Sequence, residues 1–354
     1  MSKVIVGMSG GVDSAVAALL LRDMGYEVVG VTLRTWLSDT GEEGRCCEME
    51  DARRICEKLN IRYYPLNCRE LFDEKVIKPF VDAYLDGLTP NPCIECNRYI
   101  KWERMLYYAD VLEADYIATG HYSSIVKLDN GRYTVKKAYH AEKDQTYMLY
   151  KLTQEQLSRT LMPLGDYTKE RVRELAAKAG LGVESKPDSQ ELCFVIDGDY
   201  ADYIKAHTDR KVPSEGAFID MDGNVRGTHK GFIHYTIGQR KGLGIAAEAP
   251  LYVVNKDIEK NIVYLGAETD LYADTLIADE VNLMSVEVID KPMKIKAKAR
   301  YRQIEQPATV YPLSDGRIKI VFDEPQRALT TGQAVVMYKE TNVVGGGRIA
   351  EVIK

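Results

Sequence analysis

Hydrophobic and polar positions in the first half of the chain alternate between short apolar runs and longer amphipathic segments. The short runs predict buried strands, and the longer segments, with apolar residues every three or four positions, predict helices. The predicted strands are Val4–Val6, Glu27–Leu33, Ile61–Leu66 and Tyr116–Thr119, and the predicted helices are Ala15–Met24, Met49–Leu59, Phe72–Leu88 and Arg98–Leu112. This alternation predicts an α/β fold with a doubly wound parallel sheet.

The pattern changes towards the C-terminus. A β-hairpin is predicted at Ser124–Tyr139, followed by helices at Asp144–Leu152 and Thr168–Ala179. Beyond about residue 205, glycine becomes frequent and short alternating strands replace the helices. We therefore predict three domains: the α/β domain at residues 1–205, a small central β-rich domain at 206–272, and a C-terminal β-barrel at 273–354.

Composition narrows the class of protein. The 354 residues are 45% hydrophobic and 28% charged, with a formal net charge of −6. Such a chain does not coat nucleic acid by bulk charge, although a local basic face is compatible with it. Without a signal peptide or an apolar run near twenty residues, it is predicted to be cytoplasmic, with no membrane partner. Its seven cysteines are expected to be free, catalytic or metal-bound.

The first predicted strand and helix flank the segment G-M-S-G-G-V-D-S. Glycines let backbone N–H groups converge without Cβ clashes, and the helix directs its positive dipole end to the same point, which predicts a phosphate site. The segment lacks the lysine of a Walker A loop and the spacing of a dinucleotide fingerprint. It resembles the PP-loop of the ATP pyrophosphatases, which cleave ATP between its α and β phosphates. ATP with Mg²⁺ is therefore the expected ligand.

Two further segments end at the same edge of the predicted sheet. In doubly wound sheets, ligands bind at the carboxyl ends of the strands, where Leu33 and the Gly120-His121-Tyr122 turn both fall. The residues assigned to the ATP site are Gly7, Met8, Ser9, Gly10, Gly11, Val12, Asp13, Ser14, Leu33 and Gly120.

Three of the seven cysteines, Cys93, Cys96 and Cys193, lie in segments that suggest a function, and the other four do not. Residues 89–97 read T-P-N-P-C-I-E-C-N, which predicts a rigid, non-helical loop holding Cys93 and Cys96. This C-x-x-C spacing by itself fits zinc, an iron–sulfur cluster, a redox pair or no function. Cys193 lies in a second turn-rich segment, P-D-S-Q-E-L-C-F. The other cysteines, Cys46, Cys47, Cys56 and Cys68, are expected to be inert, and no metal site is assigned.

Residues 291–302 read K-P-M-K-I-K-A-K-A-R-Y-R. With a period of two, Lys294, Lys296, Lys298, Arg300 and Arg302 fall on one strand face and the intervening apolar residues on the other. The pattern predicts a barrel strand that offers a basic outer face to RNA phosphates, and a merely solvated strand face is the alternative.

Taken together, these segments resemble the tRNA-specific 2-thiouridylase family over nearly the whole chain. The matching motifs are the PP-loop, T-P-N-P-C-I-E-C-N-R-Y-I-K-W, A-T-G-H-Y, K-D-Q-T-Y-M-L, D-S-Q-E-L-C-F, G-Q-R-K-G-L-G, A-R-Y-R-Q and G-G-G-R-I. The resemblance implies ATP-dependent 2-thiolation of the wobble uridine, position 34, of tRNA. AMP would be transferred to the C2 oxygen, a cysteine persulfide would supply sulfur, and AMP and pyrophosphate would be released.

The resemblance also implies residue roles. Cys96 corresponds to the nucleophile and Cys193 to the persulfide carrier, with a disulfide between them as the expected end product. A persulfide sulfur-donor protein and tRNA are the implied partners. Asn91, Pro92 and Cys93 match the base-contacting segment, and the positions matching tRNA contacts are His121, Lys143, Asp144, Gln145, Tyr301, Arg302 and Gln333.

One departure keeps an alternative open. Many relatives carry an aspartate where this chain has Cys93, which leaves that acid–base role unassigned here. Cys93, Cys96 and Cys193 could instead hold a [4Fe–4S] cluster, as in an iron–sulfur-dependent tRNA thiolase. A PP-loop ligase acting on a small molecule is a further alternative, and it would need neither Cys96 nor Cys193.

Overall fold

A computed structural model describes residues 1–36, 48–187, 192–195 and 199–354. Cys46 and Cys47, and the Asp188–Glu191 part of the second cysteine motif, lie outside the described residues. Within the described ranges, no helix combines the length and the apolar character needed to cross a membrane.

The N-terminal half contains a five-stranded sheet in which all neighbouring strands are parallel. Its order is β3-β2-β1-β4-β7, which confirms the predicted doubly wound topology. The strands are β1 Lys3–Gly7, β2 Glu27–Arg34, β3 Arg62–Asn67, β4 Tyr116–Ala118 and β7 Thr160–Leu161; the hairpin strands β5 Ser123–Lys127 and β6 Tyr133–Lys137 lie between β4 and β7 in the chain.

Helices cover both faces of this sheet. They are α1 Val12–Asp23, α2 Met49–Leu59, α3 Arg69–Phe72, α4 Lys78–Leu85, α5 Pro92–Glu95, α6 Met105–Val111, α7 Gln154–Ser158, α8 Lys169–Lys178 and α9 Tyr200–Ala206. Wider π-helical turns, Asp73–Ile77 and Cys96–Arg104, join α3 to α4 and α5 to α6. Successive β1 side chains serve opposite cores: Val4 and Val6 pack with α1, α2 and α8, and Ile5 packs with α3 to α6.

The helix from α5 to α6 corrects one prediction. Residues 89–91 are non-helical as expected, but Pro92 begins a helix that continues through both cysteines. Proline suits the first helical turn because its missing N–H would be unsatisfied there in any case. A second correction concerns Asp144–Leu152, where the structure has short 3₁₀ turns at Ala141–Lys143 and Thr146–Leu149.

Two β structures follow α9. The central sheet has the order β10-β11-β8-β9, built from β8 Gly216–Asp220, β9 Val225–His229, β10 Tyr252–Asp257 and β11 Ile262–Gly266. The last six strands are β12 Tyr272–Leu283, β13 Met293–Lys298, β14 Gln306–Pro312, β15 Ile318–Arg327, β16 Ala334–Lys339 and β17 Asn342–Ile353. Pairing of β12 with both β15 and β17 closes them into the predicted β-barrel.

Candidate active site

The PP-loop, residues 7–14, leads from β1 into α1 and is braced by its own serines. The Ser14 hydroxyl donates to the Gly11 carbonyl at 3.1 Å and accepts from the Ser9 backbone N–H at 3.1 Å. The Gly11 N–H donates to the Ser9 hydroxyl at 3.3 Å. These bonds hold the turn in a fixed shape at the N-terminus of α1, where helix N–H groups and the dipole favour an anion.

Two glycines allow close approaches around this loop. Gly10 has φ of +78° and lies against the backbone of Glu48, where a Cβ would be 2.7 Å from the carbonyl oxygen. A Cβ on Gly120 would lie 2.7 Å from the Asp13 carbonyl carbon and 2.7 Å from the Ser14 nitrogen. The turn after β4 is therefore in direct contact with the PP-loop backbone, as the sequence predicts for two segments at one sheet edge.

The Asp13 carboxylate is held by two distant segments. The Lys169 ammonium, at the first position of α8, lies 2.8 Å from each carboxylate oxygen. The Tyr122 hydroxyl donates to Oδ1 at 2.7 Å. Lys169 is buried, whereas about a third of the Asp13 side chain is exposed. Asp13 is therefore the exposed member of the pair and faces the phosphate site, and the buried Lys169 ammonium balances its negative charge.

The two cysteines of the C-x-x-C motif lie near the start of one continuous helix, Cys93 in α5 and Cys96 at the first residue of the π-helical turn that follows. Asn91 caps this helix, accepting the Cys93 N–H at 3.2 Å, and its side-chain amide also contacts the Met148 sulfur at 3.5 Å. Pro92 is buried, Cys96 is half-buried and Cys93 is exposed. Both cysteines therefore lie within the first turns of a capped helix, where the dipole favours a thiolate.

Lys101 acts on two of the predicted residues. Burial by neighbouring atoms raises the pKa of the Cys93 thiol, although the residue reaches solvent, and the Lys101 charge opposes that rise. His121 is buried; burial first, and then the Lys101 charge, hold its pKa well below the usual range. The imidazole is thus neutral, bonded through Nδ1 to the Thr119 hydroxyl at 2.8 Å and packed on the Trp102 ring.

Hydrogen bonds join the segment from Lys143 to Gln145 to neighbouring parts of the fold. The Gln145 side chain accepts the Tyr122 N–H at 2.9 Å, which ties it to the partner of Asp13. Asp144 accepts from the Ala138 N–H at 3.1 Å and from the Thr146 hydroxyl at 2.6 Å. Asp144 and Gln145 therefore serve the local structure whatever they contact in a complex.

Barrel residues approach the same region. Burial raises the pKa of the Tyr301 phenol. Charges on Asp144, Lys143, Arg302 and Cys93 also act on the phenol. Tyr301 therefore lies near the helix that begins at Pro92 and carries Cys93 and Cys96, called the cysteine helix below. Arg302 is exposed.

Gln333 of the barrel contacts the non-helical loop at residues 89–91. Its side-chain amide donates to the Thr89 carbonyl at 3.0 Å. Gly332, with φ of +87°, lies so close that a Cβ would be 2.8 Å from the Thr89 nitrogen. The barrel thus positions the loop that precedes the cysteine helix.

Three domain-family models match the chain in succession: a tRNA methyl transferase HUP domain at residues 2–197, a tRNA methyl transferase PRC-barrel domain at 201–267, and an aminomethyltransferase β-barrel domain at 273–349. A tRNA-specific 2-thiouridylase MnmA from Clostridioides difficile is 52% identical over 98% of both chains. The chain belongs to the tRNA-specific 2-thiouridylase family.

Further relatives agree with this membership. The tRNA-specific 2-thiouridylase MnmA of Acetivibrio thermocellus is 52% identical, covering 98% of this chain and 99% of the relative. A solved U34-tRNA thiolase NcsA from Methanococcus maripaludis, with its [4Fe-4S] cluster, is 19% identical and covers 54% of this chain and 60% of that chain. Its TM-score of 0.36 is too low to bear on the chemistry of this family member.

The predicted basic face is wrong at Lys298 and Arg300, whereas Arg302, beyond the end of β13, is exposed as expected. Lys294 and Lys296 are exposed, but Lys298 is buried with its ammonium 5.7 Å from the centre of the Tyr147 ring. The Arg300 guanidinium donates to the carbonyls of Ile237 and Ala328. Both side chains face other parts of the protein because neighbouring segments cover this end of the strand.

No disulfide joins any two of the described cysteines, which are Cys56, Cys68, Cys93, Cys96 and Cys193. The expected Cys96–Cys193 disulfide is therefore not present in this conformation. Among the described residues, no group of three or more His, Cys, Asp or Glu side chains could hold a metal ion, so the alternative cluster site gains no geometric support. Burial raises the pKa of Cys56 to about 12, which fits an inert thiol.

Sequence reasoning did not identify Lys169, Tyr122 or Lys101 as site residues. Lys169 lies 156 residues from its partner Asp13, and nothing local distinguishes it from other helical lysines. Tyr122 follows Gly120 at the sheet edge, and this position is the one signal that could have indicated it.

Proposed function

We propose that this chain catalyses ATP-dependent 2-thiolation of the wobble uridine, position 34, of tRNA. The observation that carries the proposal is the presence of a braced PP-loop and a capped two-cysteine helix in a chain 52% identical, over nearly its full length, to named tRNA-specific 2-thiouridylases. We assign residues 1–205, 206–272 and 273–354 to the catalytic, central and RNA-contacting domains, working in the cytoplasm.

Adenylation is assigned to the PP-loop. A uracil carbonyl oxygen is a poor leaving group, and attack of that oxygen on the α-phosphorus makes it part of a good one. The bond between the α-phosphorus and the bridging oxygen breaks, and pyrophosphate departs with that oxygen. Residues 7–14, with Leu33 and Gly120, would bind ATP, whose Mg²⁺ enters with the substrate. Backbone N–H groups at a helix N-terminus suit the pyrophosphate because they supply positive potential without a proton transfer.

Sulfur transfer is assigned to the two cysteines. The terminal sulfur of a Cys193 persulfide attacks C2, and AMP leaves with the former C2 oxygen. The Cys96 thiolate then attacks the inner persulfide sulfur, which leaves 2-thiouridine and a Cys96–Cys193 disulfide for an external thiol to reduce. The position of Cys96 near the start of a helix supports its role as the nucleophile.

The target base would enter beside the cysteine helix. Asn91, Pro92 and Cys93 form the capped start of that helix, and His121 is a buried neutral donor or acceptor nearby. A wobble base must leave its stack to reach such a site. Lys143, Asp144, Gln145, Tyr301, Arg302 and Gln333 are proposed tRNA contacts, and for Asp144, Gln145 and Gln333 this adds to the structural bonds described above.

The test is nucleoside mass spectrometry of tRNA after incubation with the protein, ATP, Mg²⁺ and a persulfide donor protein, with and without iron. We expect 2-thiouridine at position 34, with AMP and pyrophosphate formed, and no need for iron. Product that requires iron and anaerobic conditions would favour the cluster alternative. Full turnover by a Cys96→Ser, Cys193→Ser double variant would exclude the persulfide pathway.

A further inference from the structure

The PP-loop lacks a cation of its own. Residues 7–14 contain no lysine or arginine, although the triphosphate that the proposed function places there carries several negative charges. A positive side chain is supplied from α8, whose first residue is Lys169. Its ammonium contacts both oxygens of Asp13 at 2.8 Å, at the base of the loop.

The backbone that carries this ammonium is held at the start of α8. Thr168 caps α8 by accepting the Arg171 N–H, and the Lys169 backbone N–H donates to the His140 ring at 3.3 Å. The Lys169 side chain is 7% exposed, whereas Asp13 is 32% exposed. The lysine therefore lies beneath the aspartate, and the carboxylate is the part of the pair that is open to a ligand.

We propose that Lys169 is a phosphate-contacting catalytic residue of the ATP site. The proposal rests on the proposed function and names a residue that completes it. When ATP binds, the ammonium exchanges the Asp13 carboxylate for oxygens of the β and γ phosphates, and Asp13 would be the residue that holds the accompanying Mg²⁺, which would supply further charge neutralisation. During adenylation, the Lys169 ammonium neutralises charge on the departing pyrophosphate.

The Lys169 ammonium is expected to exchange the Asp13 carboxylate for the ATP phosphates because the phosphates carry the greater negative charge. Charge-assisted bonds to phosphate are about twice as strong as neutral bonds, and a cation aimed at a leaving phosphate acts mainly in the transition state. Removing such a group typically lowers kcat by roughly 10²–10³-fold. Tyr122 keeps its bond to Asp13 and holds the carboxylate when the lysine leaves.

The experiment compares Lys169→Met with wild type and with Lys178→Met, a control at the exposed last residue of the same helix. Calorimetric titration uses two probes, Mg²⁺-pyrophosphate and AMP. We expect pyrophosphate affinity to fall by about 10–100-fold in Lys169→Met alone, with AMP affinity unchanged in all three proteins. Turnover of tRNA by Lys169→Met should show a lowered kcat with an unchanged KM for tRNA.

A purely structural role predicts a different pattern. If Lys169 only neutralises Asp13, an Asp13→Asn, Lys169→Met double variant should recover both thermal stability and pyrophosphate affinity, and that recovery would overturn the proposal. Pyrophosphate affinity within twofold of wild type in a folded Lys169→Met protein would also overturn it. Failure of the proposed function is separate: wild type would then bind pyrophosphate in a Lys169-dependent way but form no 2-thiouridine.

Discussion

Arg300 tests whether the basic pattern on β13 serves structure or RNA. Its guanidinium donates to the Ile237 carbonyl at 3.0 Å, the Ala328 carbonyl at 2.9 Å and the Thr330 hydroxyl at 2.9 Å. Burial, and then the neighbouring Arg327, lower its pKa. These bonds tie the segment after β9 to the barrel, so we expect Arg300→Met to destabilise the protein.

The magnitude follows from what the variant leaves behind. The Ala328 carbonyl keeps a second donor, the Thr330 hydroxyl at 2.8 Å, whereas the Ile237 carbonyl loses the arginine. A buried carbonyl without a partner costs about 1–3 kcal/mol, and the lost charge-assisted bonds add to this. Relief of the buried guanidinium, whose Nε has no partner, offsets part of the loss. The net expectation is a decrease of about 2–4 kcal/mol in the free energy of unfolding.

Urea unfolding and tRNA binding across a salt series separate the two roles. Lys296→Met is the matched control because Lys296 is exposed on the same strand. For Arg300→Met we expect reduced stability with an unchanged salt slope of tRNA binding. For Lys296→Met we expect unchanged stability and, if it contacts a phosphate, a slope smaller by roughly 1. Wild-type stability of Arg300→Met combined with a smaller salt slope would refute the structural interpretation.

Three further predictions concern other sites. The Lys256 ammonium has no hydrogen-bond partner, and burial lowers its pKa to about 8. Between about pH 8 and 10.5 the unfolded lysine still binds a proton that the folded lysine has lost. The free energy of unfolding should therefore rise by up to about 3 kcal/mol across this pH range. Urea unfolding should show a flatter pH dependence for Lys256→Met, and an identical curve would count against this. Gly120→Ala should abolish Mg²⁺-ATP binding, measured by calorimetry, because the added Cβ would clash with the PP-loop backbone. Gly11→Ala is the milder control, since its Cβ would lie 3.4 Å from the Ser9 hydroxyl. Unchanged ATP binding by Gly120→Ala would contradict the close approach. Cys193→Ser should retain ATP binding but lose tRNA thiolation, and thiolation at the wild-type rate would remove Cys193 from the mechanism.

Much of the fold was predictable because local patterns determine it. Short apolar runs separated by amphipathic segments indicate the parallel sheet, and the glycine–serine loop after β1 indicates the phosphate site. The barrel follows from period-two alternation in the last third of the chain.

The errors arise where a local pattern is compatible with two tertiary environments. Pro92 breaks a helix in most positions but begins one here, because Asn91 provides the cap. Alternation on β13 assigns Lys298 and Arg300 to one face but does not show that other segments cover that face. The pairing of Lys169 with Asp13 depends on packing between α8 and α1, which no local pattern contains.

The central claim is that ATP held by the PP-loop drives sulfur transfer to the wobble uridine through Cys96. The most direct measurement is single-turnover analysis of the Cys96→Ser protein with ATP, Mg²⁺, tRNA and a persulfide donor. The mechanism predicts release of pyrophosphate and AMP and a tRNA base that stays linked to Cys193 through the persulfide, without free 2-thiouridine, whereas wild type yields free 2-thiouridine with the same pyrophosphate and AMP. Formation of 2-thiouridine by Cys96→Ser at the wild-type rate would contradict the account.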